Sequence, residues 1–213
     1  MRPPDECRWN FPPVGEWPDD DDVVATGADL EPDTLLWAYA HGMFPMHLRG
    51  PDSPIAWWSP VERGVIPLDS LRVTRSMRQS ARRYGCSIDR AFIEVMMGCA
   101  DERSDGNWIT AEFLDAYGTL HDLGAAHSVE VWDGDLLVGG LYGVRIGRFF
   151  AGESMFHRSR DASKVALMHL VEAMQAAGMT LLDTQWCTPH LASLGCRVRS
   201  RSDYLAALAD ALA

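Results

Sequence analysis

The sequence predicts an α+β chain with a mixed, mainly antiparallel sheet flanked by helices, preceded by a small domain. Three observations carry this. Apolar strand-like segments recur at about residues 128–132, 136–144 and 148–154, and Asp133-Gly134 offers a hairpin turn between the first two. A helical run follows at 163–177, with Val165, Leu167, Met168, Leu170, Val171 and Met174 apolar and Gly178 at its end. A short apolar strand at 180–184 then ends in Asp183 and Gln185.

The remaining elements are read in chain order. Residues 1–22 hold five prolines and end in the run Asp19–Asp22, which suggests a poorly structured, solubilising start. Pro32 suits the first turn of a helix ending near Gly42. The Pro/Gly-rich stretch 44–60 closes a small domain over 1–60, leaving 61–213 as the larger one. Helices are expected at 74–84 and 89–100, with Thr74 and Asp89 as N-caps, and from Thr110 to Leu123. A helical turn at 190–194, a strand at 197–200 and a helix from Ser202 complete the chain.

Composition narrows the function classes. A net charge of −11 opposes binding of nucleic acid by the whole surface. Arginine is nevertheless concentrated in RVTRSMRQSARR, which holds Arg72, Arg75, Arg78, Arg82 and Arg83. Spacings of three and four place Arg75, Arg78 and Arg82 on one helix face, either a solvated face or a phosphate-contacting one. Arg197, Arg199 and Arg201 alternate along the late strand, which would put all three on one side. Five cysteines without a CxxC pair fit reduced thiols in a cytoplasmic protein. Cys187, His190 and Cys196 lack the second close pair of a metal site, so no metal is expected. No apolar run approaches the ~20 residues of a membrane span, and the N-terminus lacks the apolar stretch of a secretory signal.

A carboxylate at the end of an apolar strand is costly unless something binds it. Glu153, read as the end of the 148–154 strand, and Asp183 therefore mark a candidate site.

The order of strands and helix resembles the Gcn5-related N-acetyltransferase fold. That fold holds coenzyme A at a glycine-rich turn, and the junction His157–Lys164 has no glycine. A more specific resemblance comes from LLWAYAHGMFP (35–45), IAWWSPVERGVIP (55–67), NWIT (107–110), AHSVEVW (126–132), LVGGLYGV (137–144), FFAGESMF (149–156), ASK (162–164) and the segment 183–195. Through these the chain resembles the leucyl/phenylalanyl-tRNA–protein transferases of the bacterial N-degron pathway, whose catalytic domain has the acetyltransferase-like fold.

The resemblance implies transfer of Leu or Phe, with leakage to Met, from aminoacyl-tRNA to an N-terminal Arg or Lys, marking the acceptor for degradation. The ester is already activated, so no cofactor is implied. Asp183 and Gln185 would hold and orient the amine, with Glu153 meeting the acceptor's cationic group. Leu141, Phe150, Met155, Leu167, Leu170 and Leu182 would form the aminoacyl pocket. Trp108 would stack on the terminal adenine, helped by Tyr39. The family usually has a tryptophan after Phe-Pro, and this chain has Met46 there, so a weaker clamp is implied. Arg72, Arg75, Arg78, Arg82 and Arg83 would meet acceptor-stem phosphates. A monomer is expected. The competing readings are a coenzyme A-dependent N-acetyltransferase and a non-catalytic binder of N-terminal Arg or Lys.

Overall fold

The computed structural model describes residues 3–101 and 109–213. The described strands form two sheets. The smaller one combines β1 (Val23–Thr26), β2 (Phe44–His47) and β3 (Ile55–Trp58) in the antiparallel order β1-β3-β2. The stretch 44–60, expected only as a Pro/Gly-rich closure, thus pairs as strands. The helix α1 (Pro32–Ala40) starts on its proline and buries Leu35, Leu36 and Tyr39.

The larger sheet begins with β4 (Glu62–Val65), a strand the sequence reading missed. Its other members are β5 (Gly85–Ile88), β6 (Ala126–Asp133), β7 (Leu136–Ile146), β8 (Phe149–His157), β9 (Leu181–Asp183) and β10 (Arg197–Ser200). The order is β10-β4-β9-β8-β7-β6-β5, antiparallel except where β9 runs parallel to β8. That parallel pair is joined by α5 (Ala162–Ala176), as a crossover requires. This is the expected α+β architecture of a mainly antiparallel sheet flanked by helices.

Strand periodicity feeds two cores. Phe149, Ala151 and Leu181 face one core, with residues of α3 (Phe92–Asp101), α4 (Ala111–Asp122) and α7 (Arg201–Leu212). Phe150 and Leu182 face the other, with α5 and Met77 of α2 (Arg75–Ala81). A last short helix, α6 (Pro189–Ser193), is capped by Thr188.

Several local expectations are corrected by long-range contacts. The N-terminal segment is anchored by aromatic packing: Trp17 is buried and Phe11 stacks on Trp37 at 5.4 Å. The helix expected at 74–84 ends at Ala81, and the chain enters β5 to pair with β6. Asp89 is not an N-cap. It adopts a φ of 58° and accepts from the Ser128 backbone N–H at 2.9 Å and pairs with His127. Thr110 precedes α4 without making a side-chain cap. Arg201 leaves the alternating row because it opens α7, where its guanidinium donates to the Ser59, Pro18 and Asp21 carbonyls.

Candidate active site

Glu153 does not end its strand. β8 continues to His157, but the register with β7 slips: Tyr142 faces Ser154 and Gly143 faces Gly152. Glu153 is the extra residue of a β-bulge, a device that re-aims one side chain out of the ladder. Gly143 is required opposite it, since a Cβ there would lie 2.1 Å from the Ala151 carbonyl oxygen.

The carboxylate so aimed is 9% exposed. Its Oε1 accepts from Gln185 Nε2 at 3.0 Å, and the Tyr117 hydroxyl lies 3.5 Å from Oε2. Tyr117 in turn shares a short hydrogen bond with Tyr39. Burial pushes the Glu153 carboxyl up to about 8, and burial likewise raises both tyrosines well above their usual range.

Gln185 follows β9 with a φ of 57°, a strained conformation for a residue with a Cβ. Hydrogen bonds offset that strain. Its N–H donates to Asp183 Oδ1 at 2.9 Å, and its carbonyl accepts from Gly64 N at 2.8 Å.

Asp183 is fully buried. Arg63 of β4 grips it with Nε at 2.8 Å and Nη2 at 2.6 Å. The Tyr204 hydroxyl donates to Oδ2 at 2.9 Å. Arg63 also donates to the Gly42 carbonyl at 3.1 Å and lies over the Phe44 and Tyr204 rings. Burial opposes its charge, but the fields of Asp183 and Tyr204 and the hydrogen bonds to Asp183 together outweigh this and raise its pKa further.

A cavity of about 400 Å³ opens beside this network. Leu141, Met155, Leu167, Leu170 and Leu182 supply its apolar wall, Phe44 and Met46 line it from β2, and Glu153 and Gln185 give it a polar edge. The lining thus gathers five of the six expected pocket residues and two of the three expected catalytic ones.

The other candidates lie elsewhere. Phe150 packs in the core on the α5 side of the sheet, outside the lining. Tyr39 is buried against Tyr117 rather than lining the cavity. Asp183 lies behind Gln185. Trp108 lies outside the described residues. Arg72, Arg75, Arg78, Arg82 and Arg83 are exposed on and around α2, and Arg83 is ion-paired with Asp133. α2 reaches the site through α5: Ser76 and Lys164 share the Asp161 carboxylate, and α5 carries Leu167 and Leu170.

Sequence reading missed Arg63, Tyr117, Tyr204 and Trp186. Arg63 had a weak signal, a cation separated only by Gly64 from the apolar stretch Val65–Ile66. The tyrosines had none, because their roles depend on distant partners.

The comparisons decide the family. The model of the leucyl/phenylalanyl-tRNA protein transferases matches residues 65–209, and the model of their N-terminal domain matches 28–61. The leucyl/phenylalanyl-tRNA–protein transferase of Thiobacillus denitrificans is 49% identical over 205 residues, 94% of this chain and 89% of that one.

The chain belongs to this family.

The Ruegeria sp. relative of the same name is 51% identical over 185 residues, 86% of this chain and 87% of its own. Among solved structures, a GCN5-related N-acetyltransferase from Kribbella flavida aligns over 76% of this chain and 58% of that one, with a TM-score of 0.40 and 13% identity. Membership of the transferase family makes the protein an aminoacyltransferase. The coenzyme A-dependent acetyltransferase and the non-catalytic binder are both set aside. Among the described residues, no helix is long and apolar enough to cross a membrane.

Proposed function

We propose that the transferase moves Leu or Phe, with leakage to Met, from aminoacyl-tRNA to proteins beginning with Arg or Lys, and that this marks them for degradation in the cytoplasm. It acts as a monomer and binds no cofactor. The observation that supports this reading best is the apolar cavity whose polar edge is Glu153 and Gln185. An apolar side chain without a branch at Cβ, such as that of Leu, Phe or Met, packs against the leucine and methionine wall. The aminoacyl ester then lies against the polar pair.

The acceptor's α-amine attacks the ester carbonyl carbon. The C–N bond forms, and the bond to the ribose oxygen of the tRNA breaks. One proton must leave the amine and one must reach the departing oxygen. An α-ammonium titrates near 7.7–8.0, so a carboxyl at about 8 is matched to exchange a proton with it. Glu153 serves as that exchange group. Gln185 orients it through the 3.0 Å hydrogen bond, since an amide is itself a poor base. Asp183 and Arg63 act behind Gln185 and hold its backbone. Holding amine and ester together supplies most of the acceleration, on the order of 7–11 kcal/mol for well-oriented reactants.

Arg75, Arg78 and Arg82 contact tRNA phosphates, which carry no sequence information, so several tRNAs are accepted. Trp108 stacks on the terminal adenine and Met46 packs against it. Tyr39 supports the site through Tyr117.

The direct test mixes the protein with radiolabelled leucyl-tRNA and a peptide beginning with Arg, beside one beginning with Ala. Label on the Arg peptide alone supports both the reaction and the acceptor rule. Equal labelling of the two peptides would remove the acceptor rule, and no labelling from leucyl- or phenylalanyl-tRNA would remove the donor assignment.

A further inference from the structure

The acidic run at residues 19–22 ends in an aspartate that does more than carry charge. Asp22 Oδ2 accepts from the indole N–H of Trp186 at 2.9 Å, and its Oδ1 accepts from the Val61 backbone N–H at 2.8 Å. Its carbonyl accepts from Ser59 N at 2.7 Å. The Trp186 ring meets Phe44 edge-on at 5.1 Å and Trp58 at 5.7 Å. The backbone beneath the ring is equally constrained. Gln185 before it holds the left-handed conformation, and a Cβ on Gly64 would lie 2.7 Å from the Trp186 carbonyl carbon.

Trp186 lines the main cavity. It also lines a second recess of about 360 Å³, shared with Asp20, Asp22 and Glu62. One half-buried ring is therefore common to an apolar pocket and an acidic one. Swinging it aside would join them, admit water beside the donor's apolar side chain and enlarge the space available to it.

We infer that Trp186 is a specificity-determining wall of the donor pocket and that Asp22 is the positioning residue that locks its ring. This rests on the reading of the main cavity as the aminoacyl site. The indole N–H joins the two residues directly, so their effects should not add. Neighbours sharing one interaction are non-additive, whereas independent sites sum.

The experiment is a double-mutant cycle on the full chain, with leucyl-tRNA as donor and an Arg-initial peptide as acceptor. Trp186→Phe keeps an aromatic ring but removes the indole N–H together with the bulk of the fused ring, so it tests the wall and the hydrogen bond at once. Asp22→Ala removes the acceptor of that N–H. Each is expected to raise the KM for leucyl-tRNA about tenfold, the factor for one hydrogen bond to a charged group, with kcat held within about twofold. The double variant is expected to be no worse than the poorer single one. Both single variants are also expected to gain transfer from tryptophanyl-tRNA relative to leucyl-tRNA, a change that general destabilisation does not produce.

Asp22→Ala also frees the Val61 N–H, so Trp186→Phe decides the outcome should Asp22→Ala fold poorly. A wild-type KM and unchanged donor selectivity in Trp186→Phe would overturn the inference. Additive effects in the cycle would overturn the coupling through Asp22. A wild-type protein inactive with every donor would overturn the underlying reading instead, which keeps the two failures apart.

Discussion

Arg63 and Asp183, 120 residues apart in the chain, form a bidentate ion pair in which both side chains are at most 1% exposed. The pair ties β4 to β9, and Asp183 Oδ1 passes the constraint on to the Gln185 backbone. Among the described residues, four donors reach the Asp183 carboxylate: two from Arg63, one from Tyr204 and one from Gln185. Its acceptor capacity is thus filled by the protein.

Removing one partner leaves an uncompensated buried charge, which typically costs about 3–5 kcal/mol. Arg63→Met should therefore lower Tm by roughly 10 °C, at about 2–4 °C per kcal/mol for a domain of this size. Asp183→Ala should cut transfer strongly and also destabilise the fold, because it strands Arg63. Calorimetry of the two variants reads this directly. Unchanged melting in both would mean the pair contributes nothing net.

Glu153 gives a pH signature. Its folded pKa of about 8 lies above the ordinary 4.5. Between those values the unfolded chain has already released the proton that the folded chain keeps. The unfolded state then binds fewer protons, so stability falls as pH rises through that window. Glu153→Gln removes the titration while keeping an oxygen to accept from Gln185. Denaturant melts from pH 5 to 9 should show the wild type losing stability relative to Glu153→Gln. Parallel curves would refute the raised pKa. Transfer by the variant should drop about 10²–10⁴-fold, the usual share of a proton-transfer group.

The arginine patch predicts a salt effect. Arg75, Arg78 and Arg82 are exposed, whereas Arg83 is ion-paired with Asp133. Replacing the first three with Gln should weaken tRNA binding and lower the slope of log K against log salt by about 0.9 per lost phosphate contact. Arg83→Gln should change the slope less. Filter binding between 50 and 200 mM salt separates these cases, and an unaltered slope in the triple variant would reduce the patch to a solvated face.

Gly64 is a steric prediction. A Cβ at this position would lie 2.7 Å from both the Cys187 nitrogen and the Trp186 carbonyl carbon. Those are backbone atoms of the loop that carries Gln185, so they cannot rotate away. Gly64→Ala should cost about 1–3 kcal/mol, as overpacking does, and should lower transfer by displacing Gln185. Wild-type melting with wild-type transfer would show that the loop yields freely.

Much of the molecule was legible in the chain. Apolar strand-like segments, with a turn at Asp133-Gly134, located β6, β7 and β8, and the apolar positions of 163–177 located α5, because these signals are local to each segment. Leu141, Met155, Leu167, Leu170 and Leu182 converge on one cavity because three parallel or antiparallel neighbours and their crossover helix present them to the same side. Gln185 and Glu153 were recognisable as polar residues beside apolar strands. Phe150, equally apolar, was indistinguishable by pattern and went to the core.

What the chain determined by itself is whatever repeats with local period: strands, helices, their apolar faces and the order in which they follow. What the tertiary structure decided are relationships between residues far apart. The bulge that aims Glu153 arises from a register slip between β7 and β8, which neither strand contains alone. The Arg63–Asp183 pair and the Asp22–Trp186 hydrogen bond, which span 120 and 164 residues, exist only once the sheet has assembled. Burial raises the pKa of Glu153 only after α4 and β9 close around it, since desolvation is a property of the assembled environment and not of the residue.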